Sequence, residues 1–388
     1  MVTYLYEDYK KIIKSDLSVW IAGIFIAIIA LLLFIWQAPW GVAGGYRNWG
    51  DWFFYSIGIN YSRPKYPWLN GISLSNLGIF FGAFVSSLLN NQFRFQWTNS
   101  AEYFKAFVGG LLMGCGASLA RGCNVGGFYT AVGMFSAGGY MMMIGLTFGA
   151  YLGLRYLVWE MEKNISQSKI IPSIGRFNSI TKHPSILNFM GIFLTIAVVI
   201  LFNIYSIFGH TIEGGEIFFG FLLGIVLHRS RFCFVRAFRD PIMTGETQMV
   251  KAVALSLFVY GIGAAVIKWL YVQPIEMGVY HPFWIGSFTG GVIFGVGMVI
   301  TGGCATSVLW RLGEGNMKML LALFSFSISD SIFHYLLNKY DIYNYLGKGV
   351  FIPEKIGWQS TIAVFLIILL FWIILTQWNE INEKFIIS

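Results

Sequence analysis

The residues "GGLLMGCGASLARGC", 109 to 123, return as "GGVIFGVGMVITGGC", 290 to 304, at a constant offset of 181 (290 − 109 and 304 − 123). Five glycines and the closing cysteine coincide without a gap. Gly110-x3-Gly114 and Gly291-x3-Gly295 have the small-residue spacing that lets two helix backbones approach closely. Gly122 and Gly303 then predict a helix stop just before Cys123 and Cys304, with short apolar segments restarting at 125–135 and 305–311. At bilayer depth a broken helix is tolerated only where protein or a polar cavity covers the freed backbone groups. The first N–H groups of a restarting helix carry partial positive charge, so an anion beside each cysteine would be held there. Interrupted segments in matching places of two halves mark the binding site of repeat-built transporters.

The surrounding chain agrees with a membrane setting. It has 388 residues, 56% of them hydrophobic and only 11% charged, where a soluble protein carries about 25% charged residues. The first span, Trp20 to Trp36, is apolar throughout and bracketed by Trp, as an interfacial belt requires. Further apolar segments fall at 77–90, 103–120, 138–158, 187–208, 216–228, 249–270, 283–301, 317–337 and 358–376. The predicted fold is an all-α polytopic membrane protein whose short, broken helices meet at a central constriction. Residues 1–75 are read as an N-terminal span and an external loop, 76–159 as a first repeat, and 160–186 as a polar cytoplasmic linker. A second repeat follows at 187–337, then a polar loop and a C-terminal span at 338–388. Lys10, Lys11 and Lys14 before the first span put the N-terminus in the cytoplasm by the positive-inside rule, although Arg47, Arg63 and Lys65 follow it. No cleavable signal peptide is read at the start of the chain.

Net charge is +8, which fits loop charges on an anionic leaflet or a field that attracts anions. No basic helix or aromatic module suggests nucleic acid. The four cysteines, Cys115, Cys123, Cys233 and Cys304, form no CxxC and lie in or beside apolar helices, so free thiols are expected rather than a metal site or disulfides. No haem motif or nucleotide loop is present, so no cofactor is expected and ATP does not drive the chain directly. A weaker match joins "GIFFGAFVSSLLNNQFRF", 78 to 95, to "GFLLGIVLHRSRFCF", 220 to 234, with a gap.

The stretches 109–139, 220–240 and 290–315 resemble the YeeE/YedE family of bacterial sulphur-transport membrane proteins, and the Cys-free first hairpin is closer to the YedE branch. The resemblance implies a pseudo-twofold inverted repeat, hourglass-shaped, in the bacterial inner membrane. It implies uptake of a small thiosulfate-like anion along three thiols, which by motif are Cys123, Cys233 and Cys304. It brings two further expectations: a selenium species as an alternative cargo, and a cytoplasmic sulphur-carrier protein of the TusA type as partner.

Beside the thiols, Asn124 and Thr306 offer polar contacts to an anion or to broken-helix backbone. Arg121 and Arg311 follow the two helix stops; either could steer an anion, pair with Glu314 or reach a headgroup. Arg229 and Arg231 belong to "HRSRFCFVRAFRD", whose four arginines fit an anion vestibule or a hairpin binding lipid phosphate. Cys115 is read as packing, and the histidines are given no chemistry. Two other functions compete: a membrane-embedded thiol enzyme, and a channel for a neutral solute with passive cysteines.

Overall fold

The structure is a computed structural model that describes residues 16–59, 63–166, 184–279 and 283–386. The N-terminal lysines, most of the 160–186 linker, His183 and His281 lie outside those residues. Among the described residues ten helices are long and apolar enough to cross a membrane. Each coincides with one of the ten apolar stretches read from the sequence. They are α1 (Val19–Trp36), α3 (Gly71–Leu89), α4 (Ser100–Ala120), α6 (Ala137–Ser166), α7 (Pro184–Ile207), α8 (Thr211–Ser230), α10 (Gln248–Trp269), α11 (Ile285–Thr301), α13 (Lys318–Lys339) and α15 (Trp358–Asn382). Shorter helices lie between them: α2 (Ala43–Ser56), α5 (Ala131–Gly133), α9 (Phe234–Met243), α12 (Ala305–Gly313) and α14 (Ile352–Ile356). A π-helical segment, Asn124–Thr130, runs directly into α5.

Glycine sets the arrangement of the long helices. A Cβ on Gly116 would stand 2.5 Å from the Gly290 carbonyl oxygen, and one on Gly290 would stand 2.6 Å from that of Gly116. Gly109 and Gly297 meet in the same reciprocal way, each 2.7 Å from the other's oxygen. Residue 109 therefore lies opposite 297 and 116 opposite 290, so α4 and α11 cross antiparallel in backbone contact. Gly110 and Gly114 seat α4 on α13, and Gly291 and Gly295 seat α11 on α6. The two Gly-x3-Gly motifs thus admit close helix approach as the sequence predicts. Around this central pair the helices associate in parallel twos: α1 with α10, α3 with α8, α4 with α13 and α6 with α11.

One part of the chain differs from the sequence reading. Residues 37–75, read as an external loop, contain α2, whose Tyr46 is fully buried and whose body packs on α13 and α3. Its composition, "AGGYRNWGDWFFYS", hides it: Gly, Arg, Asn and Asp break the apolar run. Arg47, counted there as a loop charge, is carried on this helix.

Candidate functional site: thiols at three helix breaks

Three helices end in the same way. The last residue of the turn takes a left-handed conformation: Arg121 after α4 (φ 53°), Arg231 after α8 (φ 53°) and Gly302 after α11 (φ 73°). The next N–H turns back to the carbonyl five residues earlier: Gly122 to Ala117 (2.9 Å), Phe232 to Leu227 (3.2 Å) and Gly303 to Met298 (3.0 Å). This is a Schellman-type closure that satisfies the helix-end carbonyls. The residue after that is in each case a cysteine in extended conformation, opening the next short segment: Cys123, Cys233 and Cys304. Gly122 and Gly303 are therefore not the left-handed stops. Gly122 is required for space, because a Cβ there would lie 2.6 Å from the Gly127 nitrogen. Arg121 takes the stop position despite the cost of left-handed backbone, about 1 kcal/mol for a non-glycine residue.

All four cysteines are free, and Cys123, Cys233 and Cys304 are buried. The Cys233 and Cys304 thiols are hydrogen-bonded to each other, and both contact Ser307. Ser307 Oγ lies 3.3 Å from Cys304 Sγ and accepts the Cys304 N–H at 2.6 Å. The Cys123 thiol is surrounded by backbone N–H groups of two segment starts: Val42 and Ala43 at the head of α2, and Val125 and Gly126 in the π-helical segment. Tyr46 joins the two sets. It lies within electrostatic reach of both Cys123 and Cys304 and donates its hydroxyl to the Ala305 carbonyl at 2.9 Å. Cys115 is half-buried in α4, close to Asp330 and apart from the three.

Next to the thiols, buried polar atoms have no protein partner. Asn124 is fully buried, and neither its Oδ1 nor its Nδ2 is satisfied. Thr306 Oγ1 and Trp40 Nε1 are likewise buried and unpaired. A buried donor without a partner costs about 1–3 kcal/mol, and three beside three thiols leave room for the acceptors of a ligand. Neither Asn124 nor Thr306 spends its side chain on the broken-helix backbone.

Cys233 opens onto a cavity of about 270 Å³, lined also by Arg231, Arg236, Arg239, Arg311 and Glu314. Arg311 donates to the Gly302 carbonyl at 2.6 Å. Arg231, rather than Arg121 or Arg311, is ion-paired with Glu314. Arg229 does not line this cavity. Arg121 lies at the opposite end of the antiparallel α4–α11 pair, its guanidinium 4.0 Å over the ring of Tyr343. The predicted supporting residues thus divide between two ends of the molecule.

The sequence reading missed α2 altogether, and with it Tyr46 and the N–H donors to Cys123. It also passed over Asp330 and took Arg47 only as a loop charge. Asp330 had a visible signal: "FSFSISDSIFHY", 324 to 335, puts a carboxylate inside an apolar span, where ionisable groups face protein or a pathway.

Ten apolar helices among the described residues define a multi-pass membrane protein, and its relatives make it a transporter. The chain belongs to the sulphur transport family, whose model matches residues 6–152 and 229–385. It is 28% identical over 300 residues to a protein of Escherichia coli K12 named probable transporter YedE, covering 72% of this chain and 71% of that one. Shorter similarity reaches two proteins named thiosulfate transporter TsuA. The one from Escherichia coli K12 is 34% identical over 113 residues, 29% of this chain and 32% of its own length. The one from Spirochaeta thermophila is 37% identical over 99 residues, 25% of this chain and 28% of its own. These relatives are named as transporters, not enzymes. No solved structure matches the chain.

Proposed function

We propose that the chain imports a small sulphur-containing anion of the thiosulfate type, handed past Cys233 and Cys304 and then Cys123. The observation that carries this reading is the convergence of three thiols, each opening a short helical segment, around Tyr46, with Asn124, Thr306 and Trp40 holding unspent hydrogen-bonding atoms beside them. A thiosulfate-like ion has a soft sulphur end and an oxyanion end. Thiols offer weak, polarizable contacts, while helix starts and the unpaired donors suit the oxygens. Weak, repeated sites let an ion enter and still leave. The arginine-lined cavity draws the anion toward Cys233. The names of the TsuA relatives support thiosulfate as the cargo.

The helix pairing also supports an inverted repeat. Exchanging α4 with α11 and α6 with α13 turns the α4–α13 pair into the α11–α6 pair. Exchanging α1 with α8 and α3 with α10 turns α1–α10 into α8–α3. On this reading each half holds two units of span, short helix and span, and the first half begins at α1 rather than at residue 76. Three of the four short segments open with cysteine; the fourth, α2, opens after Val42. Inner-membrane location, a cytoplasmic N-terminus and a TusA-type carrier that consumes the cargo belong to the same proposal.

A selenium oxyanion shares the oxyanion end of this chemistry and is the second reading. The test is growth of a strain lacking other importers on single sulphur and selenium sources. Thiosulfate should support growth with the intact chain and with Cys115→Ala, but not with Cys123→Ala or Cys304→Ala. Rescue by selenite-dependent phenotypes alone would exchange the cargo. Growth that ignores both substitutions, with the purified protein turning over a thiol substrate, would favour the membrane enzyme.

A further inference from the structure

At the end of the α4–α11 pair away from the cavity, charged side chains meet inside the protein. Arg47 of α2 reaches Asp330 of α13, Nη2 to Oδ1 at 3.5 Å, and its Nη1 lies 3.2 Å from His334 Nε2. His334 Nε2 also receives Asn338 Nδ2 at 3.0 Å, so it accepts, and the ring proton sits on Nδ1, facing the Tyr343 hydroxyl at 2.9 Å. Tyr343 donates its hydroxyl to the Ser118 carbonyl at 2.9 Å and takes a bond from Arg121, whose guanidinium covers its ring. Asp330 is fully buried and accepts the Ser118 hydroxyl at 2.6 Å. Asp51, bonded to Ser331, is the other carboxylate in range.

The hydrogen-bond accounting is incomplete in a particular way. Arg47 Nε and Arg121 Nε are buried donors with no acceptor, and Asp330 Oδ2 is a buried acceptor with no donor. Charge-assisted arginine–carboxylate bonds close at about 2.7–2.9 Å and are commonly bidentate. The Arg47–Asp330 pair is neither close nor two-pronged. Arg47 spends its second terminal nitrogen on a neutral imidazole. Two guanidinium groups therefore hold donors that a tetrahedral or pyramidal oxyanion would satisfy better than their present neighbours do.

We infer that Arg47 and Arg121 form a second oxyanion-binding station at this end of the molecule, with Asp330 as the resident counter-ion that an incoming small dianion displaces from Arg47 and Tyr343 as its cover. The station rests on the proposed passage of an anion past the thiols, because Tyr46, which adjoins Cys123 and Cys304, is the neighbour of Arg47 on α2. It adds a requirement that the thiols do not impose: an oxyanion head, with or without a soft sulphur. A fixed cation in a pathway traps its anion unless a competitor waits, and a tethered carboxylate is such a competitor.

The test is calorimetric titration of the full chain in nanodiscs with sodium sulfate and with sodium thiosulfate. Asp330→Asn keeps the shape and the Ser118 contact but removes the competing charge, so it should tighten both anions by about tenfold. Adding Arg121→Gln should return the affinity to the starting value or below it. Unchanged or weaker binding in Asp330→Asn overturns the station. Should that variant not fold, Tyr343→Phe serves: freeing Arg121 from the hydroxyl should tighten both anions by about threefold, and no change counts against the inference. The two proposals fail separately. Thiosulfate uptake indifferent to Cys123 and Cys304 sinks the thiol path, whereas sulfate affinity indifferent to Asp330 sinks the station.

Discussion

The two ends of the α4–α11 pair are both arginine-bearing, yet they are finished in opposite ways. At the α11 end, Arg231, Arg236, Arg239 and Arg311 border an open cavity that reaches Cys233. At the α4 end, Arg47 and Arg121 are folded under Tyr343 and against Asp330. At the first end Arg231 is paired with Glu314, and Arg236 and Arg239 with Asp240, on the border of the cavity, which leaves Arg311 bonded to a backbone carbonyl; at the other the arginines are held in internal contacts. On the proposed inverted-repeat reading, a symmetric backbone plan carries an asymmetric electrostatic one, which suits a path with two unlike sides.

The largest expected effect tests what the ends share. Gly116→Val and Gly297→Val each push a side chain into the facing backbone, Gly297 meeting the Gly109 carbonyl 2.7 Å away. Each should cost about 3 kcal/mol or more, seen as loss of monodisperse protein after gel filtration. If only one were tolerated, the crossing would not seat both ends alike.

Next in size is a difference between the arginines. Arg47→Ala leaves Asp330 buried without its cation and should cost about 3 kcal/mol, restored in large part by adding Asp330→Asn. Arg311→Ala, at the open end, gives up a bond to the Gly302 carbonyl and should cost about 1 kcal/mol. Thermal unfolding of the purified variants measures both, and equal losses would erase the contrast.

A kinetic effect comes third. Arg311→Gln should raise the KM for anion uptake by about fivefold and flatten its dependence on ionic strength. Arg229→Gln, outside the cavity, should do neither. A matching change in Arg229→Gln would move the receiving surface away from the cavity.

The smallest effect concerns Arg121, one of the two left-handed arginines that precede a cysteine. Arg121→Gly relieves about 1 kcal/mol of backbone cost and loses a stacked cation worth about as much, so stability should move by less than about 0.5 kcal/mol. A large loss would mean that the cover over Tyr343 holds the far end together.

The spans were legible because a lipid-crossing helix must be apolar along its length, and each of the ten stretches in the sequence became a helix. The breaks at Cys123 and Cys304 were legible because glycine and cysteine recur at a fixed offset. Cys233 was legible mainly through family resemblance, since Phe232 rather than glycine directly precedes it. Helix α2 was not legible: only its first half is buried, which leaves no long apolar stripe, and its Arg and Asp find partners on α13. Nor does any local pattern reveal that Asp330 meets Arg47, a contact made by segments 283 residues apart (330 − 47).

Initial rates of labelled thiosulfate uptake into proteoliposomes, compared for Cys115→Ala and Cys304→Ala, bear most directly on the claim that buried thiols carry the anion. Cys115→Ala should match the unaltered chain, while Cys304→Ala, equally folded by gel filtration, should fall by at least about tenfold. Equal rates for the two variants would contradict the account.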